Sequence, residues 1–145
     1  MHYHIYCNQK KLNTNHQSAI EEFQKRLSAY CETTLHINSS LIFPKDINVH
    51  NHDFIYINNG ISSYSSEEFA TFINTCLHNG KSTFHIIIGY NETEFYDAFD
   101  ASKDYATPSY LSLTNCNLST DTKTLLFFEQ LYRAYTILQG KTYHK

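Results

Sequence analysis

Residues 54–89 read FIYINNGISSYSSEEFATFINTCLHNGKSTFHIIIG, and this stretch decides the fold. FIYI (54–57) is a continuous apolar run closed by Asn58, Asn59 and Gly60. Such a run suits a strand buried on both faces of a parallel sheet. Ser65 or Ser66 then caps a helix, with Glu67 and Glu68 in its first turn, where carboxylates complement the helix dipole. Phe69, Phe72, Ile73, Cys76 and Leu77 recur at helical spacing, and Asn79-Gly80 ends the run. TFHIII (83–88) is the strongest strand pattern of the chain, and Gly89 closes it.

Outward from this unit the alternation continues. Upstream, HYHIYC (2–7) alternates polar and apolar and predicts a strand. Residues 14–30 carry Ala19, Ile20, Phe23, Leu27 and Tyr30 at helical spacing, behind a cap at Thr14 or Asn15. TTLHI (33–37) predicts a second strand. The stretch 38–53, with Pro44 and the run HNHD (50–53), reads as loop. Downstream, a weak helical pattern covers 92–101, YLSL (110–113) predicts a last strand, and a helix follows over about 121–139. Leu125, Phe128, Leu131 or Tyr132, Tyr135 and Leu138 form one stripe of that helix. Phe127, Ala134 and Ile137 widen it, so burial on most sides is expected. Gly140 stands where a left-handed cap belongs. The alternation predicts an α/β fold in which a mostly parallel sheet is flanked by helices. No repeat or linker divides the chain, which reads as a single domain over 1–145.

Composition sets limits on function. Apolar residues make up 41% and charged residues 17%, with Gly at four and Pro at two, which excludes a disordered or loop-rich chain. A net charge of −3 is not the footprint of a free duplex-DNA binder. Cys7, Cys31, Cys76 and Cys116 form no Cys-x-x-Cys pair and read as free thiols of a reducing cytoplasm. The opening residues lack the apolar run of a signal peptide, and no stretch reads as a membrane span.

The chemistry-bearing residues are scattered. His50-x-His52-Asp53 is the closest approach to a metal constellation, yet a zinc site needs three or four ligands, and a solvated loop is the plainer reading. His85 reads as a satisfied sheet histidine. There is no phosphate-cradling Gly-rich loop and no Gly-x-Ser-x-Gly elbow. Ligands of open α/β sheets collect at the carboxyl ends of strands, here 58–60, 89–93 and 114–119. Glu129 and Arg133 are four apart on the last helix and suit a mutual pair; Arg133 equally suits anchoring the tail or a partner subunit. The tail itself, Lys141 to Lys145, places a phenol, an imidazole and cations directly after a buried helix. It is either a solubilising end or a component of a site.

LLFFEQLYRAYTILQGKTYHK (125–145) resembles the C-terminal signature of the large-subunit ribosomal RNA methyltransferase H family. Glu129, Gln130, Leu131, Tyr132, Arg133, Ala134, Gly140, Tyr143, His144 and Lys145 carry the match. Weaker similarity runs through 19–30, 54–73, 78–89 and 110–118. The resemblance implies a SPOUT-class fold whose C-terminal part is threaded as a trefoil knot. It implies S-adenosylmethionine as cofactor and a homodimer with the pocket near its interface; on the residues themselves, no metal is expected. The implied reaction methylates N3 of a pseudouridine in large-subunit rRNA on assembled ribosomes in the cytoplasm. The implied cofactor contacts are Ile57, Gly89, Leu113, Thr114, Asn115, Cys116, Asn117 and Leu118. The implied active-site residues are Arg133, Tyr143 and His144.

Two departures stand out. The family's Gly-Gly-Pro-x-Gly loop is here Gly89, Tyr90, Asn91, Glu92, Thr93, so Tyr90 is expected to crowd the cofactor. The family's Leu-Pro-His is here Leu118, Ser119, Thr120, without the histidine. The alternative reading is therefore a SPOUT-fold dimer that binds RNA or ribosomes without transferring a methyl group.

Overall fold

The structure, a computed structural model, describes residues 1–47, 50–58, 60, 63–98 and 108–143. The elements run β1 (His2–Cys7), α1 (Thr14–Leu27), β2 (Glu32–Ile37), β3 (His52–Ile57), α2 (Ser66–His78), β4 (Thr83–Ile88), α3 (Glu92–Ala98), β5 (Ser109–Leu111) and α4 (Thr120–Leu138). The five strands form one sheet in the order β2-β1-β4-β3-β5, and every neighbouring pair is parallel. The fold is α/β, as the alternation predicted. Residues 99–101 of the weak helical pattern lie outside the described residues.

Several boundaries differ from the sequence reading, each for a local reason. Asn13, not Thr14 or Asn15, caps α1, its side chain accepting from the Asn15 N–H at 2.9 Å. α1 stops at Leu27, whose carbonyl takes the N–H of Tyr30 and of Cys31 as the chain turns into β2. His52 and Asp53 belong to β3 rather than to a loop, because His52 is aligned with Thr83 of β4. β5 ends at Leu111, and Ser112 turns its carbonyl to Tyr64 N–H. The capping box on α2 is present, with Ser65 and Glu68 exchanging bonds with each other's backbone N–H.

One face of the sheet carries the larger core. Tyr3, Ile5 and Cys7 of β1, Ile55 and Ile57 of β3, Phe84, Ile86 and Ile88 of β4, and Leu111 pack against α1, α2 and α4. Each such side chain contributes about 1.5–3 kcal/mol of transfer free energy. Every residue of α4 is at least partly buried, and Phe127, Phe128, Leu131 and Ala134 are fully so. The helix lies along β1 in the opposite direction: Thr124 Oγ1 donates to Cys7 Sγ at 3.2 Å, and Tyr135 bonds Tyr3 hydroxyl to hydroxyl at 2.9 Å. α4 therefore leaves the edge strand β5 and returns to the middle of the sheet, between α1 and α2. All four cysteines are free thiols.

The opposite face is built differently. Tyr6, Phe54, Tyr56 and Ile87 pack with Tyr90 and Phe95, under Leu41, Phe43 and Ile47. Beside them five imidazoles lie together. His4 stacks on His36 and His85 and meets His2 at a tilt, and His85 stacks on His52. His85 is fully buried and satisfied: Tyr6 hydroxyl meets its Nδ1 at 3.0 Å, and its Nε2 meets His52 Nδ1 at 2.9 Å. One neutral tautomer serves both, accepting from Tyr6 and donating to His52. Burial first, then the neighbouring imidazoles, push His85 down to about 3 and His4 to about 4. His36 and His52 are also lowered, chiefly by burial.

These groups take up protons in the unfolded chain before they do so in the folded one. Stability should thus fall as pH drops below about 6.5, by about 1.4 kcal/mol per pH unit for each proton bound only by the unfolded chain. Urea denaturation between pH 7 and 5, above the main carboxylate range, measures this. His85→Phe, which keeps the stack on Phe54, should flatten the slope. A pH-independent midpoint in the unsubstituted protein would contradict the account.

Candidate functional site

Three strand ends meet on the carboxyl side of the sheet. Ile57 is aligned with Ile88 on one side and Leu111 on the other, so β3, β4 and β5 end level. The segments that follow are tied together. Asn58 N–H donates to Leu111 carbonyl at 3.0 Å, Gly60 N–H to Ser112 Oγ at 3.1 Å, and Ser112 Oγ donates to Thr114 carbonyl at 2.9 Å. Ser112 is thus the hub of the crevice, buried to 6% exposure. Its role is absent from the sequence reading, because only the adjacency of β3 and β5 reveals it.

Gly89 closes the same crevice. Its φ is +86°, a conformation costly for residues with a Cβ. An added Cβ would lie 2.5 Å from Thr120 Cγ2 and 2.7 Å from Oγ1. Asn8 side-chain N–H holds its carbonyl at 3.1 Å. The first turn of α4 is therefore seated directly on the end of β4. The loop between β5 and α4 supplies Leu113, Thr114, Asn115, Cys116, Asn117 and Leu118. Asn115, Cys116 and Asn117 are exposed, and Cys116 N–H is held by Thr114 Oγ1 at 3.1 Å. All eight residues expected at a cofactor pocket lie on these converging segments.

Tyr90 does not crowd this crevice. It is 3% exposed, packs with Tyr6, Tyr56 and Phe95 on the far face, and donates its hydroxyl to Asn38 carbonyl. The expectation of crowding is corrected: a large side chain in place of the second glycine is accommodated because it points into the other core.

The tail forms a second group of contacts. Gly140, at φ +63°, ends α4 with its N–H on Ile137 carbonyl and Lys141 N–H on Thr136 carbonyl. This paired pattern reverses the chain after the helix. Lys141 Nζ then donates to Tyr30 hydroxyl at 3.1 Å. The Tyr143 ring meets Tyr132 edge-on at 5.1 Å and lies 5.0 Å from Arg133 Cζ. Arg133 Nε and Nη2 both donate to Glu129 Oε1, at 3.1 and 2.8 Å. Burial, and next the Glu129 carboxylate, raise the Tyr143 phenol above its ordinary value. At neutral pH it is a hydrogen-bond donor, not a base. Arg133, Tyr143, Lys141, Thr142, Ile137 and Glu67 line a cavity of about 200 Å³. His144 and Lys145 lie outside the described residues.

The two groups do not meet within one chain. Arg133 follows Thr120 by thirteen residues of continuous helix, a separation of about 20 Å at 1.5 Å per residue.

Residues 38–144 match the model of a family described as "Predicted SPOUT methyltransferase". The chain is 30% identical over 146 residues to the ribosomal RNA large subunit methyltransferase H 1 of Thermoanaerobacter sp. (strain X514), covering 100% of both chains. It is 38% identical over 96 residues to the ribosomal RNA large subunit methyltransferase H of Thermodesulfovibrio yellowstonii, covering 63% of this chain and 56% of that one. To the corresponding protein of Clostridium kluyveri it is 26% identical over 148 residues, with 89% and 90% covered.

Gly89→Ala should destabilise the protein by about 1–3 kcal/mol, since it adds both left-handed strain and the clash with Thr120. Thr120→Ala in the same chain should recover part of the loss. Urea midpoints of the two variants check this, and an unchanged midpoint for Gly89→Ala would refute the seating of α4 on Gly89.

Proposed function

The chain belongs to the SPOUT methyltransferase family, as a member of the ribosomal RNA large-subunit methyltransferase H type, and on that premise we propose that it methylates N3 of a pseudouridine in large-subunit rRNA, using S-adenosylmethionine, on assembled cytoplasmic ribosomes. The observation that carries this reading is the convergence of Ile57, Gly89 and the 113–118 loop at one crevice, together with a family match along the whole chain.

S-adenosylmethionine, when bound, supplies a methyl group on an electrophilic sulfonium. The chain's own residues do the rest. Ile57, Leu113 and Leu118 would hold the adenine, and the backbone of 114–117 would offer hydrogen bonds to its edges. A pseudouridine N3 carries a hydrogen that must leave as the methyl arrives, so a base is needed. A guanidinium offers donors only, and the raised Tyr143 phenol keeps its proton. His144 is therefore our candidate base. Arg133 orients the uracil-type carbonyls, and Tyr143 donates a hydrogen bond or a ring face.

We read the distance of about 20 Å along α4 between Thr120, seated on Gly89, and Arg133 as one that a second copy of the chain bridges to complete each site. We place it on the α1–α4 face, where Ala19, Phe23, Thr122, Leu125 and Leu126 line a groove of about 400 Å³ with Glu129 and Arg133 at its rim. The return of α4 to the centre of the sheet is the segment we read as threaded in the family's trefoil knot.

Calorimetry with S-adenosylmethionine tests the cofactor assignment. One saturable site per chain in the dimer is expected, and the absence of binding by the folded protein would favour the alternative of a ribosome-binding dimer without catalysis. Leu126→Asp should convert the dimer to a monomer by light scattering and cut turnover at least roughly a hundredfold, because a buried unpaired carboxylate opposes association. A fully active monomer would refute the shared site.

A further inference from the structure

A continuous line of polar contacts joins the start of α2 to the tail, and the proposed chemistry leaves most of it unused. Ser66 Oγ donates to Gln130 Oε1 at 2.9 Å. That bond orients the Gln130 amide so that its Nε2 donates to Glu129 Oε2 at 2.5 Å. Glu129 Oε1 takes both Arg133 donors, and the guanidinium lies against the Tyr143 ring. Both carboxylate oxygens are therefore engaged. An exposed pair four residues apart on a helix contributes only a few tenths of a kcal/mol. This pair differs in kind. Its side chains are 20% and 27% exposed, the carboxylate is held from behind by Gln130, and the guanidinium holds a segment that the helix itself does not contain. Helix stability alone calls for neither of the last two features.

We propose that Glu129 is a positioning residue for methyl transfer: it fixes the orientation of Arg133 and, through the stacking of the guanidinium on Tyr143, holds the tail at the site. This rests on the reading of Arg133 and Tyr143 as site residues. Glu129 engages Nε and Nη2 and leaves the Nη1 hydrogens of Arg133 for a substrate oxygen. A free arginine side chain samples many rotamers, and ordering it in advance removes that cost from the reaction.

The test uses the full-length dimer, with Glu129→Ala, Glu129→Gln and Gln130→Ala. Three quantities are read: turnover on ribosomes lacking the modification, affinity for S-adenosylmethionine, and the rate of trypsin cleavage after Lys141 followed by intact mass. Glu129→Ala should lower kcat roughly tenfold or more while leaving cofactor affinity within about twofold. Its tail should be clipped at least about fivefold faster, as the ordered contacts are lost. Glu129→Gln keeps an acceptor for Arg133 and should restore part of both kcat and tail protection. Gln130→Ala releases the carboxylate from behind and should shift both readouts in the same direction by less, which decides the matter should Glu129→Ala not fold. Wild-type kcat or unchanged clipping in a folded Glu129→Ala dimer would overturn the positioning role alone. A wild-type protein that binds no cofactor and methylates no ribosome would overturn the functional reading, and this proposal with it.

Discussion

The seating of Thr120 on Gly89 fixes where α4 begins, and the arrangement of the molecule follows from that contact. A side chain at position 89 would occupy the space of the Thr120 methyl and hydroxyl. With glycine there, the helix starts at the sheet's carboxyl edge and runs beneath β1. It is gripped by Cys7 near its start and by Tyr3 one sheet-length later. The same contact closes one wall of the crevice formed by the ends of β3, β4 and β5. A single packing constraint thus serves both core and site.

The residues that follow Gly89 are anchored away from the crevice. Tyr90 leaves the crevice and enters the second core, bonded to Asn38 and packed on Tyr56 and Phe95. It ties the β4–α3 loop to the segment after β2. Asn91 and Glu94 then exchange bonds with each other's backbone N–H to start α3. Side-chain anchors hold the loop, and the backbone next to the crevice is held from the opposite face of the sheet.

Much of the fold was legible because its signals are local. FIYI and TFHIII announce buried parallel strands, Ser65 to Glu68 announce a helix start, and Gly140 announces a helix end. Strand order is not local, and what depends on it stayed hidden. Ser112 as hub needs β3 beside β5. The imidazole array needs His4, His36, His52 and His85, from four strands, to fall on one face, which the parallel register alone brings about. The HNHD run misled for the same reason: His52 is a strand residue because β3 pairs with β4 from the His52–Thr83 position onward. Candidate site residues were legible through resemblance, at Arg133, Tyr143 and His144 and at the 113–118 loop. The separation of these two groups along one helix was not, because a motif carries no distances.

The central claim is that crevice and tail, brought together by two copies of the chain, transfer a methyl group to large-subunit rRNA. The most direct measurement incubates the purified dimer with S-adenosylmethionine labelled in its methyl group and with ribosomes from cells lacking the modification, then maps the label by mass spectrometry of rRNA fragments. The account predicts one labelled pseudouridine in large-subunit rRNA, methylated at N3, and no label when Arg133 is replaced by alanine. Undiminished label in that variant, or none from a wild-type dimer shown to bind the cofactor, would contradict it.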